Sequence, residues 1–420
     1  MRILITFIFS VFCISTFGQS DSLSIREDSS LKNSIQDSAI IVPEGLNTEI
    51  DSLLSDWFMR HHTYLDSTCV SSTMNIEYPD SVYIQRLGAL PTVIEMPYNK
   101  VVRSYIDMYT SKRRDLVEYM LGLGSFYFPI FEEILDKNDM PIELKYLPII
   151  ESALKPTARS RMGATGLWQF MLGTAKTLGM QVNSLYDERC DPYKSTEKAT
   201  KYLKQLYNIY NDWNLAIAAY NCGPGNVNKA IKRAGGKTDY WEIYFYLPRE
   251  TRGYVPAFIA ANYVMHYYCE HNLCPVMTEI PNGSDTVVID KMVHFQQISD
   301  KLNIPIDQIR ALNPQYRRDI VPGNVSPSVL RLPVQKLYAF IEHQDTIAAH
   351  RSEELLVNAR REVGPGGTIA AQGTTVHKVK AGETLSTIAR KYHTSINSIK
   401  KINGLKNDRL RIGQRLIVNG

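Results

Sequence analysis

The hydrophobic and polar positions of this chain follow a helical period over much of its length. Apolar residues recur three and four positions apart from about residue 101, most clearly over 102–109, 126–135, 196–210 and 213–220. This spacing places apolar side chains on one face of a helix. Asp139 and Pro141 predict a further helix that starts there and runs to about Glu151, because proline fits the first turn. The pattern therefore predicts an all-helical domain at residues 96–275.

The first 95 residues have a different pattern. Arg2 precedes a short apolar run over 3–17, followed by small or polar residues, which is the arrangement of a signal peptide. The run is short for a membrane span. We therefore predict a signal peptide at 1–19, with an uncleaved membrane anchor as the alternative, and a Ser- and Asp-rich flexible segment at 20–95. Export would place the protein in the periplasm or cell envelope, with association to the outer membrane left open.

The C-terminal third contains an internal repeat. Residues 298–314 align without gaps on residues 388–404 at a constant offset of ninety residues, and both copies share the apolar positions and one Asn. A strand-like run follows each copy, and another precedes the second. We predict two small α+β modules of strand–helix–helix–strand order (βααβ) at 285–334 and 376–419, separated by a helical segment and linker at 335–375.

Charge distinguishes the second module from the rest of the chain. Residues 376–420 hold ten Lys and Arg against two acidic residues, a net charge of +8, whereas the whole chain carries +4. A basic module at the end of an exported protein suits a polyanionic surface. Nucleic acid is the usual alternative. The export signal argues against it, and Tyr392 is the single aromatic residue of this module available for base stacking.

The chain has six cysteines, of which Cys13 belongs to the predicted signal. Export permits disulfides. Cys269 and Cys274 are close enough in sequence to close a small loop, but the odd number that remains leaves at least one thiol free or paired elsewhere. Because the cysteine spacing matches no zinc pattern, we expect no structural metal, and we predict no cofactor.

The candidate chemistry centres on Glu151, which lies in the apolar run 149–154. Burial raises the pKa of a carboxyl, which suits a general acid that works near neutral pH. A Gly-rich turn with Ser160, Trp168 and Gln169 follows, and these side chains suit a sugar cleft. For an isolated Glu, the alternative of a helix cap or a salt bridge is stronger. Three further polar segments, at 187–192, 212–223 and 247–256, change that balance.

These segments together resemble the soluble-lytic-transglycosylase domain. The order is Glu151-Ser152, then Ser-x-x-Gly-Ala-x-Gly-Leu-Trp-Gln-Phe from 160, Ala-Tyr-Asn-x-Gly from 219, and Leu-Pro-x-Glu-Thr-x-x-Tyr-Val-Pro from 247. The repeat resembles LysM carbohydrate-binding modules, with a degenerate first copy. The whole layout is similar to lytic murein transglycosylases of the membrane-bound D type.

This resemblance implies a lysozyme-like helical fold that cleaves the bond between N-acetylmuramic acid and N-acetylglucosamine in peptidoglycan, leaving a 1,6-anhydromuramoyl end. Glu151 would act first as acid and then as base, with the substrate N-acetyl group replacing the second carboxylate of ordinary glycosidases. The matching positions imply that Tyr220 and Tyr254 orient Glu151, that Ser160 and Gln169 contact sugar, and that Asn221 lines the cleft. Glycan strands of peptidoglycan are the expected partner, and we expect a monomer.

Several departures and alternatives accompany this resemblance. Cys222 replaces the usual small Ala, and either a bridge to Cys190 or a free thiol fits there. Trp168 is expected in the core rather than under a sugar, and Glu250 is expected to pair with Arg249, Arg252 or a helix end. The first repeat copy lacks the basic surface and the Gly-Glu-Thr-Leu opening of the second, so it is interpreted as a spacer. The alternative functions are a lysozyme- or chitinase-like hydrolase and an inactive glycan-binding scaffold.

Overall fold

The computed structural model describes residues 32–47, 74–276, 280, 283–357, 376–380, 382–392, 394–405 and 407–418. Its first part is a helical unit, as the apolar spacing predicts. Its helices are α1 (Asp80–Gly88), α2 (Lys100–Asp107), α3 (Arg114–Asp136), α4 (Leu147–Ser152), α5 (Leu172–Thr177), α6 (Pro192–Tyr210), α7 (Trp213–Cys222), α8 (Pro224–Arg233), α9 (Tyr240–Ile243), α10 (Arg249–Arg252) and α11 (Tyr254–His266). A π-helical turn (Met108–Lys112) follows α2, and short 3-10 turns cover Glu44–Asn47, Ile142–Tyr146, Tyr244–Tyr246 and Cys269–His271.

Helix α11 forms the centre of this unit. Its residues from Tyr254 to Met265 are all buried, and it packs against α2, α4 and α7. Helix α6 packs on both α3 and α7. A helix that is apolar on every side can only be stable when other helices surround it. The predicted helix from Pro141 to Glu151 is instead a 3-10 turn followed by the short α4.

The structure differs from the predicted flexible segment at 20–95. Residues 32–47 lie on the helical unit, and α1 contributes Tyr83 and Leu87 to its core. Leu46 is fully buried. The segment was predicted to be flexible because it is rich in Ser and Asp and has few apolar residues. These apolar residues pack against helices that are distant in sequence. The predicted signal peptide lies outside the described residues.

Two small α+β modules follow, as the repeat predicts. The first contains the antiparallel pairs β1 (Ser284–Ile289) with β4 (Ser328–Pro333) and β2 (Met292–His294) with β3 (Ile320–Pro322), the helices α12 (Phe295–Leu302) and α13 (Ile306–Leu312), and a 3-10 turn at Arg317–Asp319. Helix α14 (Val334–Ala349) packs on the same core, and α15 (Ser352–Leu355) follows. The second module consists of β5 (Val376–Lys378), α16 (Leu385–Lys391), α17 (Ile396–Asn403) and β6 (Arg415–Ile417), with β5 antiparallel to β6.

The shared Asn makes the same contacts in both repeat copies. The Asn313 amide donates to the carbonyls of Ile309 and Arg331, and its oxygen accepts from the Arg331 amide at 2.8 Å. Asn403 makes the matching contacts to Ile399 and Ile417. In each copy one side chain therefore joins the second helix to the last strand, which explains why both copies carry Asn at this position.

Three cysteines, Cys190, Cys222 and Cys269, are free thiols. Cys274 is disulfide-bonded, and its partner lies outside the described residues. The small loop between Cys269 and Cys274 that their spacing allows is therefore not formed, and Cys190 is not bridged to Cys222.

Candidate active site

Glu151 lies in the last turn of the short helix α4. Ile149 and Ile150 beside it are buried, and the helix ends immediately afterwards because Ala153 and Leu154 both adopt left-handed backbone conformations. The Ser152 hydroxyl donates to the Pro148 carbonyl one turn back and lies 3.0 Å from the Leu167 carbonyl. The backbone around Glu151 is thus fixed on both sides.

The environment of Glu151 favours its protonated form. Burial is the main cause and raises its pKa from the usual 4.5 to about 7, although the hydrogen bond from Tyr254 acts in the opposite direction. The Tyr254 hydroxyl donates to Oε1 of Glu151. A carboxyl with a pKa near 7 can both give and accept a proton at neutral pH, as a group serving as acid and then base requires.

The Gly-rich turn after α4 is held mainly by backbone and short side-chain hydrogen bonds. Ser160 closes it, since its Oγ accepts from the Ala164 amide at 3.0 Å. The side-chain amide nitrogen Nε2 of Gln169 donates to the Gly166 carbonyl at 2.8 Å. The backbone of Gln169 is left-handed, with a φ of 47°. Gly166 is required by close approach, because a Cβ there would lie 1.7 Å from the Arg189 carbonyl oxygen.

Helices α7 and α11 provide the opposite side of the site. Helix α7 ends at Gly223, whose φ is 82°, and this brings Tyr220 and Asn221 to its C-terminal turn. Asn221 accepts from the Thr251 hydroxyl at 2.9 Å. The Tyr220 hydroxyl donates to the Trp168 carbonyl at 2.7 Å rather than to Glu151. Of the two tyrosines expected to orient Glu151, Tyr254 therefore does so directly, whereas Tyr220 fixes the turn.

All six residues predicted for the site line one cavity of about 610 Å³. They come from α4, the turn after it, α7 and α11, and they are Glu151, Ser160, Gln169, Tyr220, Asn221 and Tyr254. Trp168, expected in the core, is fully buried there and donates from its indole nitrogen to Thr196 at 2.8 Å.

The cavity is also lined by residues that the motifs did not indicate as site residues. Tyr202, Met162 and Glu44 line it, and Glu44 comes from a segment more than one hundred positions before Glu151. Nothing in the local sequence of Glu44 indicated this position. Glu250 also lines the cavity. The arginines expected to pair with it contact the N-terminal segment instead: Arg249 donates to the Ala39 carbonyl, and Arg252 forms an ion pair with Asp37 at 3.3 Å.

Within the described parts of the chain, no group of three or more His, Cys, Asp or Glu is placed to hold a metal ion.

Comparison with known proteins agrees with these features. The model of the transglycosylase SLT domain matches residues 128–243. The LysM-like domain of lytic transglycosylase MltD matches residues 284–349, and the LysM domain matches residues 377–419. The first repeat copy, although it lacks the basic surface and the Gly-Glu-Thr-Leu opening of the second, thus matches a LysM-like domain of its own type.

Among curated relatives, the chain is similar to membrane-bound lytic murein transglycosylase D of Escherichia coli K12, with 28% identity over 77% of this chain and 70% of that protein. It is 34% identical to the soluble lytic murein transglycosylase of the same strain over 28% of this chain and 19% of that protein. The solved 70 kDa soluble lytic transglycosylase from E. coli aligns with 34% of this chain and 24% of its own, at 29% identity and a TM-score of 0.29. The chain therefore contains an SLT domain, an MltD-type LysM-like domain and a LysM domain in this order, and over 77% of its length it is similar to a membrane-bound lytic murein transglycosylase.

Proposed function

We propose that this protein is a peptidoglycan lytic transglycosylase in which Glu151 is the catalytic acid and base. It would cleave the β-1,4 bond between N-acetylmuramic acid and N-acetylglucosamine without consuming water. The observation that carries the proposal is the hydrogen-bonded Glu151 carboxyl, whose pKa is raised to about 7, at the wall of a cavity that is also lined by Ser160, Gln169, Tyr220, Asn221 and Tyr254.

The proton balance of this reaction needs one carboxyl. Protonated Glu151 gives its proton to the glycosidic oxygen while the bond from that oxygen to C1 of the muramoyl sugar breaks. The substrate N-acetyl oxygen bonds to C1 in its place. Ionised Glu151 then takes the proton of the C6 hydroxyl, whose oxygen displaces the N-acetyl oxygen from C1. The anhydro ring is closed, and Glu151 is protonated again for the next cycle.

Tyr254 supports this cycle by holding one carboxyl oxygen of Glu151. Its hydroxyl remains a donor throughout, because burial and the neighbouring Glu151 raise the pKa of Tyr254 well above its ordinary value. A fixed donor keeps the carboxyl in one orientation in both of its protonation states, so the same oxygen can give the proton and later take one.

Product analysis tests the chemistry. Purified sacculi are digested with the wild-type protein, and the released muropeptides are identified by mass spectrometry. We expect anhydromuramoyl ends, and Glu151→Gln should abolish their release because an amide can neither donate nor accept the proton. Reducing muramic acid ends would instead identify a hydrolase, an outcome for which Glu44 and Glu250 at the cavity provide further carboxyls. Unchanged release by Glu151→Gln would reject the catalytic assignment.

The C-terminal module is proposed to bind the enzyme to its polymer, in the periplasm or cell envelope. Deletion of residues 376–420 removes its net charge of +8. We expect reduced co-sedimentation with purified sacculi, whereas the melting temperature of the helical unit should stay the same. Unchanged co-sedimentation would show that another part of the chain provides the anchor.

Within the described residues, no helix has both the length and the apolar character needed to cross a membrane.

A further inference from the structure

The N-terminal segment from Asp37 to Asn47 crosses the helical unit and ends at the Glu151 cavity. Three contacts hold it there: Asp37 to Arg252 at 3.3 Å, the Ala39 carbonyl to Arg249 at 3.0 Å, and the Ile41 carbonyl to the Tyr105 hydroxyl at 2.8 Å. Arg249 and Arg252 belong to the polar motif that precedes Tyr254. The path of this segment is therefore defined by the same motif that contributes to the site.

The end of the segment packs directly on the backbone of the proposed catalytic residue. A Cβ added at Gly45 would lie 2.4 Å from the Glu151 carbonyl oxygen, so the two chains approach as closely as glycine permits. The next residue, Leu46, is fully buried. This burial fixes the short 3-10 turn at Glu44–Asn47 against α4.

Glu44 extends from this turn to the opposite wall of the cavity. Its Oε1 accepts from the Arg161 amide at 2.9 Å. Arg161 follows Ser160 in the Gly-rich turn, and Glu44, Ser160 and Met162 all line the cavity. The carboxylate thus ties an otherwise exposed turn to a segment that is anchored elsewhere on the helical unit.

We propose that residues 41–47 form one wall of the glycan site, and that Glu44 is a positioning residue that holds the Ser160 turn in its substrate-binding place. The inference rests on the function proposed above and adds a specificity element from outside the matched SLT domain, which begins at residue 128. Glycan binding should therefore depend on a hydrogen bond that does not touch Glu151.

The role of Glu44 requires an oxygen acceptor rather than a negative charge. Glutamine retains that acceptor, since its side-chain carbonyl can receive the Arg161 amide proton. Glu44→Gln and Glu44→Ala therefore separate positioning from charge. Glu44 is solvent-exposed, so neither substitution should prevent folding. Glu95→Ala is the matched control, because Glu95 is a surface carboxylate that contacts Lys32 of the N-terminal part at 2.9 Å and does not line the cavity.

The experiment measures kcat and KM of the full-length chain on soluble, uncross-linked glycan strands, with anhydro ends as the product. We expect Glu44→Ala to raise KM about fivefold, as loss of one ordinary hydrogen bond implies, with kcat within about twofold of wild type. Glu44→Gln and Glu95→Ala should both resemble wild type.

Two results would overturn the proposal. If Glu44→Gln and Glu44→Ala both lower kcat well beyond that twofold range, the charge of Glu44 takes part in the chemistry and positioning is the wrong role. If Glu44→Ala leaves KM unchanged, the wall does not contribute to glycan binding. Both results are read against an active wild type, so they are distinct from failure of the proposed function, in which the wild type itself yields no anhydro ends.

A second variant tests the wall without changing charge. Gly45→Ala should displace the segment from the Glu151 backbone and raise KM at least as much as Glu44→Ala. Gly88→Ala is its control, because a Cβ at Gly88 meets nothing within 4 Å. Wild-type KM in a folded Gly45→Ala protein, verified by its melting temperature, would contradict the close packing on which the proposal depends.

Discussion

At the scale of single residues, Glu151 shows how burial prepares a carboxyl for proton transfer at a cost in stability. Its pKa is raised to about 7 mainly by desolvation. Folding therefore disfavours the ionised form, and the opposing hydrogen bond from Tyr254 offsets this only in part. A site selected for stability alone would not keep an ionisable side chain here.

This imbalance predicts that Glu151→Gln stabilises the protein in a pH-dependent way. Below about pH 4.5 the carboxyl is neutral in both folded and unfolded chains, so the substitution should have little effect. Between the unfolded pKa and the folded pKa of about 7, ionisation increasingly favours the unfolded chain. The gain of the variant should therefore grow over that interval and level off above it, at no more than about 3 kcal/mol.

Thermal melting at pH 4 and pH 8 measures this difference. Glu95→Gln, which removes a solvent-exposed carboxylate, serves as the control. It should show no comparable gain in melting temperature at pH 8. An equal effect of Glu151→Gln at both pH values would mean that the folded pKa of Glu151 is not raised.

At the scale of elements, the site depends on how α4 and the turn after it are joined. The Ser152 hydroxyl connects α4 to the Leu167 carbonyl, and Gly166 allows the turn to touch the Arg189 backbone. Gly166 also has a φ of 93°, which side-chain-bearing residues rarely adopt. The glycine is therefore needed both for backbone conformation and for space.

We predict that Gly166→Ala destabilises the fold by several kcal/mol, because the added methyl group must move the Arg189 backbone. Urea unfolding at neutral pH gives the free-energy difference. Gly173→Ala is the control from the same region, since a Cβ there meets nothing within 4 Å. A loss below about 1 kcal/mol in Gly166→Ala would show that the turn relaxes easily.

At the scale of the whole molecule, the first LysM-like module contacts the helical unit directly through hydrogen bonds and an ion pair. The Arg317 amide donates to the Leu185 carbonyl at 2.8 Å, and the Asp187 amide donates to the Gln315 carbonyl at 2.9 Å. Fully buried Asp187 pairs with Arg189 of its own unit at 2.9 Å and with Arg317 of the module at 2.6 Å. The acidic turn at 187–192 is thus a junction between domains.

The junction predicts unequal effects for its members. Asp187→Ala leaves buried Arg189 without its carboxylate and should cost about 3–5 kcal/mol of folding free energy. Arg317→Ala removes a partly exposed partner and should cost about 1 kcal/mol or less, while increasing hydrogen exchange of the amides at Asp187 and Arg317. Urea unfolding and exchange mass spectrometry measure the two effects. Equal losses in both variants would contradict a junction centred on Asp187.

Much of this architecture could be predicted because it depends on local sequence. Helical spacing, the Gly223 stop and the strand–helix–helix–strand repeat are properties of neighbouring residues, and the repeat Asn makes equivalent contacts at 313 and 403. The motif order also indicated six of the residues that line the Glu151 cavity. Each of these features can be predicted from the sequence of a single segment or from the order of the motifs.

Tertiary structure decided the contacts between distant segments. The sequence by itself determined the helical and repeat elements and the candidate carboxyl Glu151, because apolar periodicity and motif order are properties of the linear sequence. It did not determine that residues 32–47 lie on the helical unit, that Tyr220 binds the Trp168 carbonyl, or that Glu44 holds the turn after Ser160. These contacts join positions far apart in sequence, and their energies exist only after the intervening helices have packed.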